Sequence, residues 1–257
     1  MTPCVVIPLR NDATDLKRAV ADLSEHAAHW PVLVVDGDST DGSAALAEEL
    51  IGDGTGELLR SAPGRGRQLR LGAECAIERG HDWLWFLHAD SRVSGRLVRA
   101  LEAIADRPAW GRCDVAFDAD DWRMGIIAKA MNVRSAATHI CTGDQGIFVH
   151  RRLLEAVGGV PDQPLMEDIE LARRLRRVGV PIRVRTPLVT SARRWQRDGL
   201  LATVLQMWAL RARYWLGESA EVLARDYYGS HPYMPIAGAD EAHPPVKGRA
   251  RRERRRT

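Results

Sequence analysis

The sequence predicts an α/β protein, built on a mostly parallel sheet with helices on both faces. Three observations carry this. Short apolar, β-branched runs alternate with helical periodicity through about the first ninety residues. Each run closes in a polar, turn-forming stretch. With 45% hydrophobic and 28% charged residues, 257 residues suffice for one sizeable core without disulfides.

In chain order, residues 4–9 form an apolar run that reads as a buried strand. Leu16, Ala19, Val20 and Leu23 give 12–28 a helical face. A second strand at 31–35 runs into Asp36-Gly37-Asp38-Ser39-Thr40-Asp41-Gly42, and a helix follows through Leu50. A loop at 52–56, a short strand at 57–60, a helix at 68–79 stopped by Gly80 and a strand at 82–87 complete this half. The second half is less regular. It predicts helices at 97–104, 124–137, 151–157, 168–178 and 199–216, and strands at 112–117, 147–149 and 180–184.

Composition excludes several classes. No apolar run reaches the roughly 18–20 residues of a membrane span. The N-terminus lacks a charged n-region and cleavage site, which predicts a cytoplasmic protein. The net charge is +3, from 37 basic and 34 acidic residues, but residues 247–257 hold seven of the bases and one acid. The body is therefore at −3, which argues against a nucleic-acid binder. The stretch 231–257 reads as a basic, disordered tail, with a weak contact to anionic lipid or nucleic acid as the alternative. Cys4, Cys75, Cys113 and Cys141 have no C-x-x-C spacing, so they read as free thiols rather than a zinc or redox site.

Ligands of parallel α/β sheets bind beyond the carboxyl ends of the strands. Pro8, Arg10, Asn11 and Asp12 follow the first strand, Asp36, Asp38 and Asp41 the second, and His88, Ala89, Asp90 and Ser91 the fourth. Such an acidic edge suits a divalent cation and a nucleotide. Asp12, Asp41 and Ser91 also stand where helix N-caps belong. Asp36 and Asp90 end buried strands, which points to a ligand instead. An Asp-x-Asp pair at a strand end holds Mg²⁺ or Mn²⁺ through hard oxygens. Here His88 takes the first place, either as a ligand suited to Mn²⁺ or as a hydrogen-bond partner of Asp90 or the ligand.

Gly64-Arg65-Gly66-Arg67-Gln68 opens a helix, where Arg65 and Arg67 suit phosphate or form a solvated basic loop. It is not a dinucleotide fingerprint, because Leu69 breaks the glycine pattern. Glu167 and Asp168 open another helix, as caps or with one as general base. Asp144 and Gln145 lie in a polar loop that reads either as a turn or as a ligand contact. Arg193-Arg194-Trp195 precedes the long helix, to cover a diphosphate or anchor that helix.

Together and in order, these stretches resemble the family 2 glycosyltransferases of GT-A type, from about Val5 to about Tyr228. The residues that carry this are Pro8-Leu9-Arg10-Asn11-Asp12, Val35 to Gly42, Leu87-His88-Ala89-Asp90, Gly158-Gly159 and Glu167-Asp168-Ile169-Glu170-Leu171. Gly64–Gln68, Leu87–Asp90, Gly143–Phe148 and Pro164–Asp168 further resemble a small bacterial subgroup often labelled by arsenosugar biosynthesis.

The resemblance implies a single GT-A domain over 1–230, with a Rossmann-like nucleotide half (about 1–110) and a mixed acceptor half (about 111–230). It implies inverting transfer from a nucleotide-diphosphate sugar, a UDP-sugar above all, assisted by Mn²⁺ or Mg²⁺. Pro8, Arg10, Asn11, Asp36, Asp38, Arg65, Arg67 and Ala89 would bind the nucleotide. Asp90 and His88 would hold the metal. Asp168 would be the base, with Glu167 its rival. Asp144, Gln145, Arg194 and Trp195 would meet the sugars.

Two rivals stand beside this reading. A sugar nucleotidyltransferase would show a Gly-rich, basic first loop, where this chain has Pro-Leu-Arg-Asn-Asp. A non-catalytic nucleotide-sugar binder fits His88 in place of an acid, but not the intact Asp90, Glu167 and Asp168. Trp208 and Trp215 share a helix face, which reads as core packing or a homodimer contact. Peripheral association at the inner membrane face is the alternative if the acceptor is lipid-linked rather than a small molecule.

Overall fold

A computed structural model of the chain describes residues 1–51 and 56–229. Residues 230–257, which include the basic tail, and residues 52–55 lie outside the described residues. Strands β1 (Cys4–Leu9), β2 (Val32–Asp36), β3 (Gly56–Arg60) and β4 (Trp83–Phe86) are parallel. They alternate with helices α1 (Ala13–His26), α2 (Ser43–Ile51) and α3 (Arg65–Glu78). Then come β5 (Ser91–Arg92), α4 (Gly95–Glu102), β6 (Trp110–Phe117), α5 (Trp122–Thr138) and a 3-10 turn at Gly143–Gln145. The chain continues through β7 (Phe148–His150), α6 (Arg151–Ala156), α7 (Glu167–Leu175) and β8 (Ile182–Thr190). Helices α8 (Arg193–Asp198), α9 (Leu200–Trp215) and α10 (Ala220–Tyr228) follow.

The strands make one mixed sheet in the order β3-β2-β1-β4-β7-β6-β8-β5. The first four are the expected parallel unit. β7 then enters antiparallel between β4 and β6, and β8 runs parallel to β6. Both faces are buried. Val5, Ile7 and Leu9 join Leu16, Val20, Trp30 and Leu97 on one side. Cys4 and Val6 join Leu69, Ala73, Ile169 and Leu175 on the other. Burial of both faces is why the strands read as unbroken apolar runs rather than alternating ones.

Helix α3 lies unusually close to the sheet. A Cβ on Gly72 would stand 2.4 Å from Val6 Cγ1, and one on Gly66 would stand 2.7 and 2.8 Å from the carbonyls of Gln163 and Pro161. This approach lets the buried Gln68 amide donate to the carbonyls of Leu9 and Val35, both at 2.7 Å. The glycines and glutamine of the Gly64–Gln68 stretch thus join the carboxyl ends of β1 and β2.

Several expectations are corrected. β8 extends to Thr190 rather than stopping at 184. Pro187 sits where the register jumps from Cys113↔Val184 to Asp114↔Pro187. Residues 185 and 186 bulge out there, a position that tolerates proline. Ser91 does not cap a helix: it lies in β5, and Ser94 Oγ caps α4 by accepting from Leu97 N at 3.3 Å. Asp12 stands at the N-cap position of α1 without a side-chain capping bond, whereas Asp41 accepts from Ser43 N at 2.9 Å before α2. Helices α8 and α10 were not expected. Trp208 and Trp215 are 70% and 54% exposed, so they do not pack in the core. Leu210 takes the buried side of α9 instead. Among the described residues no helix is long and apolar enough to cross a membrane.

Gly66→Ala is expected to lower stability by about 1–3 kcal/mol, because two backbone carbonyls cannot yield to a methyl group. The gain in helix propensity, up to ~1 kcal/mol, does not offset this. Thermal melting of the variant checks it, and a raised melting temperature would contradict the close approach.

Candidate active site

Two cavities open where the parallel strands end. The smaller, about 260 Å³, is lined by Pro8, Leu9, Arg10, Asp12, Gln68 and Ala89. The larger, about 430 Å³, lies between β8, α5, α8 and α9. Arg65, His88 and Asp90 line both. The cavities therefore meet at three charged or ionisable side chains, brought together from the start of α3 and the loop after β4.

Arg65 organises this junction. Its Nε donates to Glu167 Oε1, and its Nη2 lies 3.9 Å from Asp168 Oδ2. Burial opposes the guanidinium charge, but the two carboxylates outweigh it and hold the pKa well above its ordinary value. Glu167 is 1% exposed, so its charge is matched by this arginine and by the N-terminus of α7. Asp168 accepts from Gly143 N and from Ile169 N, each at 2.8 Å. That ties α7 to the 3-10 turn. Asp168 borders neither of the two cavities but a small apolar pocket beneath them, with Leu69, Phe86 and Gly143.

His88 is enclosed. Its Nδ1 is 3.4 Å from Asp144 Oδ1, and a Cβ on Gly143 would stand 2.3 Å from its Nε2. Burial disfavours a charged imidazole, but the hydrogen bond to Asp144 and the charges of Asp144 and Asp90 raise its pKa. Asp90 is pushed up to about 6, first by burial and then by the nearby Asp144, Asp12 and Asp15 carboxylates, with His88 opposing. Thr190 Oγ1 approaches Asp90 Oδ1 at 3.5 Å. Among the described residues no three His, Cys, Asp or Glu side chains make a ready metal cage. Yet Asp90 is a hard oxygen donor, buried among other carboxylates, whose ionised form a divalent cation would favour, so it fits such an ion.

The other expected residues fall into three groups. Pro8, Arg10 and Ala89 line the smaller cavity, and Asp144 and Trp195 line the larger. Asp36 is buried beside Leu9 in the β1–β2 ladder. Its Oδ2 accepts from Ser39 N at 3.2 Å, while its Oδ1 has no hydrogen-bond partner among the described residues. Asn11 accepts from Thr40 N at 2.8 Å and joins the two loops beside it. Asn11 and Asp38 both adopt positive φ, 50° and 63°.

Of the third group, Arg67 and Gln145 line neither cavity. Arg67 pairs with Asp162 at 3.7 Å. Gln145 is fully buried and donates to Ser135 Oγ at 3.0 Å and Asn132 Oδ1 at 3.2 Å. The loop reading thus holds for its backbone, and its side chain serves packing. Arg194 lies in α8, and its side chain lies outside the described residues. Its neighbour Arg193 pairs with Asp12 and Asp15, anchoring α8 to α1.

Sequence reasoning missed Asp12 as a cavity residue, and Arg134, Thr190, Met207 and Arg211 of the larger cavity. Asp12 was placed on the acidic edge, with capping as the alternative, but was not singled out as a site residue. The others sit inside ordinary helices and a strand, and no local pattern marks them.

A family model described as glycosyl transferase family 2 matches residues 4–153. The chain belongs to glycosyl transferase family 2. It has the GT-A fold. No curated protein sequence matches it. Among solved structures, it is similar to the mannosyltransferase PcManGT from Pyrobaculum calidifontis, in complex with GDP-Man and Mn²⁺. The TM-score is 0.56 at 21% identity, over 74% of this chain and 57% of that one. It is also similar to S. aureus TarS 1-349 in complex with UDP, with a TM-score of 0.62 at 13% identity, over 74% of this chain and 60% of that one. The same protein in complex with UDP-GlcNAc gives 0.62 at 13% identity, covering 74% and 58%. The chain thus spans less than two thirds of these structures' own length, and the likeness shows the fold.

Asp90 gives a pH test on the metal-free enzyme. Its folded pKa of about 6 lies above the ordinary 3.8, so its ionised form destabilises the fold, and this penalty grows as pH rises through 4 to 6. In EDTA, Asp90→Asn should melt higher than the wild type at about pH 7.5. The gain should shrink below about pH 6 and vanish near pH 4. Equal melting across that range would mean that the ionised carboxylate costs nothing.

Proposed function

We propose that this glycosyltransferase moves a sugar from a nucleotide-diphosphate donor, a UDP-sugar first, to an acceptor hydroxyl with inversion. The observation that carries it is the junction of two cavities at Arg65, His88 and Asp90. In this reading the smaller cavity takes the nucleotide and the larger takes the acceptor. Asp36 offers its unpartnered oxygen to the base, with Pro8, Arg10, Asn11, Asp38 and Ala89 around the nucleoside. Arg65 faces the diphosphate, while Arg67 stays peripheral.

Asp90, with Asp144 near it, is the proposed seat of Mn²⁺ or Mg²⁺, and His88 serves as the hydrogen-bond partner of Asp144. Such an ion offsets charge on the leaving diphosphate when bound. The acceptor oxygen attacks the anomeric carbon as the bond to the diphosphate oxygen breaks, and the acceptor proton passes to a carboxylate. Asp168 is the proposed base, with Glu167 held to Arg65. Asp144 is the second reading, because it lines the larger cavity and is 40% exposed there.

The catalytic domain is proposed to span 1–230, with donor and acceptor halves meeting near 110. The four subgroup motifs alone support the arsenosugar lead, which an acceptor screen tests. The exposed Trp208 and Trp215 carry the proposals of a homodimer contact and of peripheral membrane association. Sedimentation with and without vesicles separates these.

Asp168→Asn should lower kcat by about 10²–10⁴-fold and leave UDP affinity within about twofold, because a base acts on the chemical step. Turnover with a donor screen and calorimetric titration of UDP with Mn²⁺ or EDTA check this. Loss of turnover in Asp144→Asn but not in Asp168→Asn would move the base to Asp144. Absence of binding to UDP, GDP and dTDP alike would sink the nucleotide-sugar reading.

A further inference from the structure

Helix α5 is bolted to the sheet by a side chain that imitates a strand. Asn132 Nδ2 donates to Val115 O at 3.0 Å, and Asn132 Oδ1 accepts from Val115 N at 2.9 Å. Gln145 Nε2 adds a bond to Ser135 Oγ at 3.0 Å. Arg134 lies between these two fixed points and lines the larger cavity. Its Nε and Nη2 are buried and have no hydrogen-bond partner among the described residues. By contrast, Arg65 is matched by Glu167 and Arg112 by Asp114. Burial lowers the pKa of the Arg134 guanidinium, outweighing the charges of Asp168 and Asp144 that favour it, and an arriving anion would give the two buried N–H groups the acceptor they lack.

Apolar side chains form much of the wall of the cavity that Arg134 lines, alongside the charged Arg65, Asp90, Asp144 and Arg211. Phe117, Ile127, Met131, Trp195, Met207 and Trp208 line the same cavity. Trp208 is 70% exposed, and Leu205 on α9 and Ile126 on α5 are 66% and 57% exposed, so apolar surface continues outward along both helices. Pro8, Arg10 and Gln68, which mark the nucleotide side, do not border this cavity.

We propose that Arg134 holds an oxyanion on the acceptor, and that the acceptor is an amphiphile whose apolar part lies between α5 and α9. This rests on the reading of the larger cavity as the acceptor's. An oxyanion matches the planar fork of the guanidinium, and phosphate and carboxylate share that chemistry. The apolar wall then favours an alkyl or isoprenoid chain over a polar phosphate ester.

The test is a titration of the full chain, followed by tryptophan fluorescence and calorimetry. The probes are octyl phosphate below its micelle concentration, glycerol phosphate and octanol. Octyl phosphate should bind at least about tenfold more tightly than either other probe. Arg134→Met should weaken octyl phosphate about 10- to 100-fold, the worth of a charged hydrogen bond, with UDP affinity unchanged. Equal binding of octyl phosphate and octanol, or wild-type affinity in Arg134→Met, would overturn the oxyanion site. Glycerol phosphate binding as tightly as octyl phosphate would overturn the amphiphile and point to a free phosphate ester. If Arg134→Met does not fold, Arg134→Lys replaces it: full affinity there would deny the guanidinium fork a role. Loss of UDP binding in the wild type, with octyl phosphate still bound, would instead count against the nucleotide-sugar reading.

Discussion

Arg65 with Glu167 and Asp168 is the contact on which the rest of the site depends. It joins the first turn of α3 to the first turn of α7, one hundred residues away in sequence, across the end of the sheet. Each member would be costly alone in this setting. Glu167 is almost wholly buried, and removing one partner of such a pair costs about 3–5 kcal/mol. The α7 N-terminus favours both acids, and Gly143 N adds a donor to Asp168. The pair is therefore held from three sides, and it fixes where Arg65 meets the two cavities.

Around that anchor the charges are arranged unequally. Glu167 and Asp168 have their donors within the protein. Asp90 has less support: burial above all, with the nearby Asp144, Asp12 and Asp15 carboxylates, raises its pKa to about 6. On the far wall Arg134 presents buried N–H groups that no side chain answers. The proposed handling of a diphosphate, a cation and an acceptor would need groups of this kind. Groups saturated internally hold the shape, and groups left wanting meet ligands.

Much of the parallel β1–β4 half was legible in the sequence, because local signals and the sheet's packing coincide there. Apolar runs bounded by Pro8, Asp36 and His88 located three strand ends, and the sheet brings these ends together as expected. Gly64–Gln68 read as a stretch suited to phosphate or as a solvated basic loop. Within it the structure gives Gly66 and Gln68 packing roles, because Gly66 lies against the Pro161 and Gln163 carbonyls and Gln68 bonds to the ends of β1 and β2. Gln145 was similarly drawn toward the ligands by its polar neighbours, although its amide belongs to the network behind α5.

The sequence by itself determined the class of fold, the family and the acidic edge, since strand periodicity, turn residues and motif order are local properties that survive without coordinates. The antiparallel entry of β7, the bulge that carries β8 past Pro187 and the exposure of Trp208 were decided only in the tertiary structure. So was the identity of the cavity residues from α5 and α9. Those depend on which helix faces pack and which stay open, and a helix with apolar residues on several sides does not announce that choice. Arg134 is the clearest case: its place in the chain is unremarkable, and only the structure shows that its buried Nε and Nη2 have no hydrogen-bond partner among the described residues.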